Sequence, residues 1–242
     1  MLQRFSFNAN QCNLWEVYQA IDYFYPIGIS REGGLYFTYP GLQELEERLT
    51  QCIHNEENAQ RTWGHLIAEM RNGSDKEVVS TTMGQAPSFS GFLLFSKETF
   101  GECTHQMKIN FSVSLLGDFY NIYGVDETII SRDAARKFSA VINVVTPSPF
   151  KEFKEPFDYI EDKLRATFPT HKIIPYAVGQ QYIQGLQVHY LDDEDCSINQ
   201  ALFNHYLEKK PFPIWGNENY GMDQWQLDDT KGGGWIVGPP LS

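Results

Sequence analysis

The chain has 242 residues, of which 42% are hydrophobic and 14% aromatic, enough for one large domain or two small ones. Its 31 acidic and 19 basic residues give a formal net charge of −12. Binding to a nucleic-acid backbone or an anionic membrane needs clustered Lys and Arg, so both are disfavoured. The acidic charge is compatible with a basic protein partner, because complementary charge speeds encounter.

Neither end of the sequence nor its interior indicates a membrane protein. The N-terminal residues lack the apolar run of a signal peptide, and no stretch approaches the ~18 apolar residues of a membrane helix. The four cysteines are widely spaced and form no C-x-x-C motif. We therefore expect a cytoplasmic protein with reduced thiols.

The first 75 residues are typical of helices. Apolar spacing predicts a helix from Leu14 to about Tyr25, which Pro26 ends. Residues 35–37 follow a Gly-Gly turn and favour a short strand or extended segment. A long helical region is predicted from about residue 41 to 72, and the polar run at 54–58 indicates either a break or a solvent-exposed middle.

Residues 76–130 are typical of strands, and the stretch 107–125 predicts a hairpin. Apolar and polar residues alternate from Met107 to Leu115, which is the period of a strand with one buried face. Gly117 and Asp118 would supply a two-residue turn. That turn predicts a register in which Val113 lies opposite Ile122.

The middle of the chain contains the clearest break. Ser131 favours the start of one helical turn, and residues 140–145 favour a strand. The run Thr146-Pro147-Ser148-Pro149 is either a link between two lobes or a loop before the next helix.

After this break the pattern predicts a helix at 156–168, strands at 172–178 and 182–190, and a helix at 198–208. Ser197 and Gln200 form a capping-box pair for the last helix. The fold class is therefore α+β: a largely antiparallel sheet, with a meander at about residues 76–126, packed helices and a smaller C-terminal α-β-β-α unit. We expect a single domain over 1–242, with a lobe boundary possible at 146–149 between residues 1–146 and 150–242.

Motifs for catalysis, cofactors and metals are missing from the sequence. The six histidines form no H-E-x-x-H pattern and none has zinc-ligand spacing to a cysteine. There is no nucleophile elbow, phosphate-binding loop or dinucleotide fingerprint. We assign no catalytic, cofactor-binding or metal residue, although an active site can exist without a local signature.

Two segments are candidate partner-binding regions. The first is the acidic loop, which consists of Asp192, Asp193, Glu194 and Asp195; it could instead be a solvated loop, or hold a cation. The second is the C-terminal tail with Tyr220, Trp225 and Trp235. Their rings would form a recognition surface if exposed, but the tail could also lie across the sheet and bury them. Burial is the favoured alternative. Reversing the charges of Asp192, Asp193 and Asp195 should slow association with little loss of fold.

Three functions are compatible with these observations. The favoured hypothesis is a non-enzymatic acidic cytosolic protein that binds and inhibits a protein partner, as an immunity protein neutralises a toxin or effector. The second is a hydrolase or transferase with a dispersed site, in which His105, His171 or His189 would meet a carboxylate in a cleft. The third is a structural subunit of a larger assembly.

Overall fold

A five-stranded antiparallel meander forms the centre of the computed structural model, which describes residues 8–53, 58–132, 137–207 and 211–227. The strands pair in chain order, and their bounds are β1 Glu77–Ser80, β2 Ser88–Phe100, β3 Cys103–Ser114, β4 Phe119–Arg132 and β5 Lys137–Thr146. A two-residue strand, β6 (Lys172–Ile173), pairs in parallel with the start of β4. The predicted α+β class and the meander are therefore confirmed.

Helices precede and follow this sheet. Those before it are α1 (Trp15–Phe24), α2 (Gly34–Phe37), α3 (Pro40–Ile53) and α4 (Asn58–Gly73). Those after it are α5 (Lys154–Thr167), α6 (Tyr176–Gly179) and α7 (Ile198–Leu202), with 3-10 turns at Lys151–Phe153 and Met222–Trp225. Between α6 and α7 lies a small antiparallel pair, β7 (Tyr182–Ile183) and β8 (Cys196–Ser197). No helix in these described ranges combines the length and the apolar character needed to cross a bilayer.

The two faces of the meander are covered in different ways. Its apolar face, which includes Phe89, Ile109 and Phe111, shares one core with residues of α4 and α5. Its other face lies under the C-terminal unit and is largely polar, with a small apolar cluster of Tyr123, Val125 and Val145 against Leu207. There the hydroxyls of Ser90 and Ser112 accept hydrogen bonds from Asn204 Nδ2 at 3.0 and 3.2 Å. The alternation seen in the sequence thus places one face on a dry core and the other on a hydrogen-bonded seam.

A second apolar core joins the two ends of the chain. It contains Val17 and Ile21 of α1, Leu45 of α3, and residues such as Leu186 and Ala201 of the C-terminal unit, all fully buried. The phenol of Tyr25 donates a hydrogen bond to the Ala201 carbonyl across this core. The capping box predicted for α7 is confirmed, since Ser197 and Gln200 bond each other's backbone N–H.

The predicted register of the β3–β4 hairpin is wrong by two residues. Val113 lies opposite Tyr120, not opposite Ile122. The loop has four residues because two N–H groups after β3 bond elsewhere and do not pair with β4. The Leu115 N–H donates to the Pro87 carbonyl at 2.8 Å, and the Leu116 N–H donates to Ser114 Oγ at 3.1 Å. A shift of two residues keeps every side chain on its predicted face, and the buried face is therefore as expected.

Three local predictions are also wrong. Residues 35–37 belong to the short helix α2, whose backbone N–H groups close turns such as Tyr36 to Gly33. Ser131 and Arg132 continue β4, so the expected helical turn does not start there, and residues 133–136 of that prediction lie outside the described residues. Only two residues of each predicted strand at 172–178 and 182–190 are strands, because residues 176–179 close helical turns.

Candidate functional site: an apolar cleft beside the acidic loop

An open cleft of about 290 Å³ lies along α3, and we call it the α3 cleft. Leu42, Leu45 and Leu49 form its wall, because their i, i+3, i+7 spacing places them on one helical face. The opposite wall is the backbone loop at Gly84 and Gln85, together with the ring of His189. A concave apolar site with a few polar groups is the usual form of a binding site.

The mouth of the α3 cleft is apolar and exposed. Phe37 of α2 lines it and is 56% exposed. A second hollow of about 200 Å³ shares Leu49 and Gly84 with the cleft and reaches Met83, which is 37% exposed. Aromatic rings and methionines adapt well to partner surfaces. The two hollows therefore form one continuous apolar surface along α3.

The rim of the cleft on α3 is negatively charged. Glu46 lines the cleft and is exposed. The nearest basic residue in sequence, Arg48, is engaged elsewhere: it pairs with Glu44 at 2.6 Å and donates to the Leu115 carbonyl at 2.8 Å. Among the residues that the structure describes, Glu46 has no ion-pair partner, so this rim favours a cation.

Among the described residues, His189 is the one histidine that lines the α3 cleft. Its Nε2 lies 2.8 Å from the Gln85 carbonyl oxygen, which can only accept, so Nε2 carries the proton. Nδ1 is buried and has no hydrogen-bond partner among the described residues. Burial lowers the pKa of His189 below its ordinary value of 6.5, and the ring is therefore neutral at pH 7.

The acidic loop lies beside this cleft, and Arg31 holds it there. Arg31 Nη1 donates to the carbonyls of Val188 and His189, and its Nη2 forms an ion pair with Asp192. The Asp192 side chain is nevertheless 98% exposed, and Glu194 is exposed as well. Arg31, three residues before α2, thus holds the exposed carboxylate of Asp192 in the neighbourhood of His189.

The other two acidic residues stabilise the loop itself. Asp195 Oδ1 accepts a hydrogen bond from the Gly185 N–H at 2.7 Å, and Asp193 Oδ2 accepts one from Gln200 Nε2 at 3.1 Å. Charge reversal at Asp193 or Asp195 would therefore disturb the fold as well as the surface, contrary to the expectation from the sequence.

The aromatic residues of the tail have other roles. Trp225 is 2% exposed, and its Nε1 donates to the Ile173 carbonyl at 2.7 Å, so its ring is part of the core. This is the alternative in which the tail buries its rings. Tyr220 is half-buried, and its hydroxyl donates to the buried carboxylate of Glu161 at 2.7 Å. Trp235 lies outside the described residues.

The remaining histidines named as enzyme candidates also lie next to carboxylates. His105 Nε2 is 2.8 Å from Asp126 Oδ1, and His171 Nδ1 is 3.8 Å from Asp118 Oδ1. Burial lowers the pKa of His171, and the nearby Asp118 opposes this shift. No group of three or more His, Cys, Asp or Glu within the described ranges could hold a metal ion.

Comparisons of the chain with protein-family models, with curated proteins and with solved structures found no match. The site must therefore be interpreted from its own geometry. The sequence did not indicate Phe37, because residues 35–37 favour a short strand or extended segment, and a leucine stripe on a helix is typical of a core. The signal that could have indicated the rim is Glu46 beside that leucine stripe.

Proposed function

We propose that this protein is a non-enzymatic, acidic binding protein that holds and inhibits a basic protein partner in the cytoplasm, as an immunity protein neutralises a toxin or effector. The contact face is the α3 cleft together with the exposed carboxylates of the acidic loop. The observation that carries the proposal is an exposed aromatic ring, Phe37, that lines an apolar cleft beside the exposed carboxylate of Glu46. An apolar centre with a polar rim is the usual arrangement of a protein–protein interface.

The charges support a basic partner. Glu46 lines one side of the cleft, and Asp192 and Glu194 lie on the acidic loop, where Arg31 pairs with Asp192 next to His189. The formal net charge of −12 adds long-range attraction for a basic protein and speeds its encounter. An inhibitor with this surface would cover the basic functional face of its partner.

The binding experiment uses the full chain as bait and compares variants. We expect wild type to capture a basic protein whose activity is lost on mixing. Phe37→Ala should weaken binding by on the order of 2 kcal/mol, because it removes the apolar anchor. Leu35→Ala is the matched control, since Leu35 lies on the same short helix and is 73% exposed but does not line the cleft.

A second pair of variants tests the charge. Glu46→Lys should slow association and reduce its salt dependence, whereas Glu77→Lys, an exposed position on β1, should have little effect. The proposal is wrong if the captured protein binds Phe37→Ala and Glu46→Lys as well as wild type, or if the partner keeps its activity in the complex.

One observation favours an enzyme as the second candidate. The neutral His189 ring lines the same cleft, and the negative charge of Glu46 acts on it. A hydrolase or transferase at this place would use the ring as a general base after a small shift that exposes Nδ1. Turnover of a small molecule by wild type, abolished in His189→Gln while binding of proteins is unchanged, would favour this candidate over the binding protein.

A further inference from the structure

Apart from the buried Glu127, the described side chains in the distal half of the meander are exposed or half-buried, and we call this part the arm. It comprises residues 96–107, 126–132 and 137–143 of strands β2 to β5. Large apolar side chains are exposed here, with Phe100 66% and Val141 52% accessible. The strands that form it have 10 to 14 residues, about twice the usual strand length. A long exposed sheet of this kind offers open edges for pairing.

The two edges of the arm differ in how they are protected. On the β2 side, β1 covers only residues 91–94, and the open stretch beyond carries the charged residues Lys97 and Glu98. On the β5 side, residues 138–143 carry no charge. Charged side chains are a common means of preventing edge-to-edge pairing, and the β5 edge lacks them.

The β5 edge already accepts an extended segment at its other end. The Val145 N–H donates to the Pro213 carbonyl at 2.9 Å, and the Trp215 N–H donates to the Val145 carbonyl at 3.0 Å. Residues 137–143 have no strand on their outer side among the described residues. Within the described ranges, nothing therefore pairs with their backbone groups on that side.

We propose that this stretch of β5 pairs with the same stretch of a second copy, which makes the protein a homodimer. Antiparallel pairing about a two-fold axis uses the same residues on both chains, so one open edge suffices. With the axis at Ala140, all seven residues pair, and Ser139 lies opposite Val141. The two meanders then form one continuous ten-stranded sheet. This inference does not depend on the proposed function.

The charge distribution favours a second copy at this place. The arm has three basic and four acidic residues, whereas the whole chain has an excess of twelve acidic ones. Two copies therefore meet where their local charges nearly balance. In the same register Lys137 of one copy lies opposite Asn143 of the other, whose amide donates to the Asp126 carboxylate at 2.8 Å. A basic position thus comes next to an acidic one across the axis.

Sedimentation velocity of the full chain over a range of concentrations tests the proposal. We expect a monomer–dimer equilibrium that shifts to dimer as salt rises, because salt screens the repulsion between two acidic chains. Val141→Lys should abolish the dimer, since it places like charges near the axis. Thr99→Lys, at the open β2 edge of the same arm, is the matched control and should dimerise as wild type does.

A second measurement covers the case in which Val141→Lys fails to fold. In hydrogen exchange of wild type, amides of residues 139–143 should become more protected as concentration rises, while those of residues 97–99 should not change. A protein that remains monomeric at every concentration, a dimer unaffected by Val141→Lys, or exchange at 139–143 that is independent of concentration would each overturn the proposal.

Discussion

The ammonium of Lys108 and the carboxylate of Glu127 form an ion pair inside the protein, with Nζ 2.6 Å from Oε1 and side chains only 8% and 4% exposed. The pair bridges β3 and β4 on the polar face of the meander. Tyr206 of the C-terminal unit donates a hydrogen bond to the second carboxylate oxygen at 2.7 Å. The Lys108 ammonium also lies over the rings of Phe92 and Tyr206. Burial alone would favour the protonated acid, but the hydrogen bonds from Lys108 and Tyr206 outweigh it and lower the pKa of Glu127.

Glu127→Leu should be strongly destabilising, because it leaves the Lys108 charge buried without a partner. We expect a loss of about 3–5 kcal/mol in the free energy of unfolding, measured with urea. Lys108→Met combined with Glu127→Leu should recover most of that loss, since no charge then remains buried. Asp158→Leu, which breaks the exposed pair with Lys154, is the control and should cost less than about 1 kcal/mol. Equal losses for both single variants would contradict this assignment.

The shifted pKa values of two histidines predict that the protein loses stability in mild acid. Burial lowers the folded-state pKa of His189 and of His171, whereas the unfolded chain titrates near 6.5. The unfolded state therefore binds more protons as pH falls, so stability is fully present above about 6.5 and declines below it. Chemical unfolding at a series of pH values should show this decline. His189→Gln should make it shallower but not remove it, because His171 remains; an unchanged slope would show that His189 is not responsible.

Substituting alanine at two glycines should change the melting temperature in opposite directions. A Cβ at Gly124 of β4 would lie 2.3 Å from Phe153 Cδ1, so Gly124→Ala forces the 3-10 turn before α5 away from the sheet. A Cβ at Gly64, inside α4, would meet nothing within 4 Å. Gly64→Ala should therefore raise the melting temperature, with a gain of about 0.5–1 kcal/mol. Gly124→Ala should lower it by more than that gain.

In the acidic loop, substituting an exposed carboxylate should affect association, whereas substituting a hydrogen-bonded carboxylate should affect stability. Glu194→Lys changes an exposed side chain and should slow partner association without changing the melting temperature. Asp195→Lys removes the acceptor of the Gly185 N–H and should cost about 1–3 kcal/mol in stability. Association rates and thermal unfolding of the two variants check this. A fully stable Asp195→Lys would show that the loop does not need this bond.

Local patterns predicted those parts of the fold that depend on local physics. The alternation along β3 fixed its buried face, and the Ser197–Gln200 capping box placed the start of α7. The predicted hairpin register was wrong because the register depends on the distant Pro87 carbonyl, which accepts a hydrogen bond from the Leu115 N–H. The strands predicted at 172–178 and 182–190 are each only two residues long. Their β-branched and aromatic residues favour strands, whereas residues 176–179 close helical turns and pack on α7.

The candidate site was predictable only in part. Four acidic residues in a row marked a surface loop, and the structure places that loop next to the α3 cleft. No local signal showed that Arg31, more than 150 residues earlier, would hold it there. Trp225 did not indicate where the site lies, because large rings are common in cores as well as in binding surfaces. Its bond to the Ile173 carbonyl is a tertiary contact.

The core that joins the two ends of the chain has a consequence for biosynthesis. Tyr25 and Ala201 are 176 residues apart, yet their contact and the surrounding side chains bury α1 and α3. At roughly 5–20 residues per second, a ribosome needs about 10–35 s to make the intervening polypeptide. During that interval the leucines and aromatics of the first helices have no permanent cover. The first helices therefore cannot reach their final packing until residues near 201 have been synthesised.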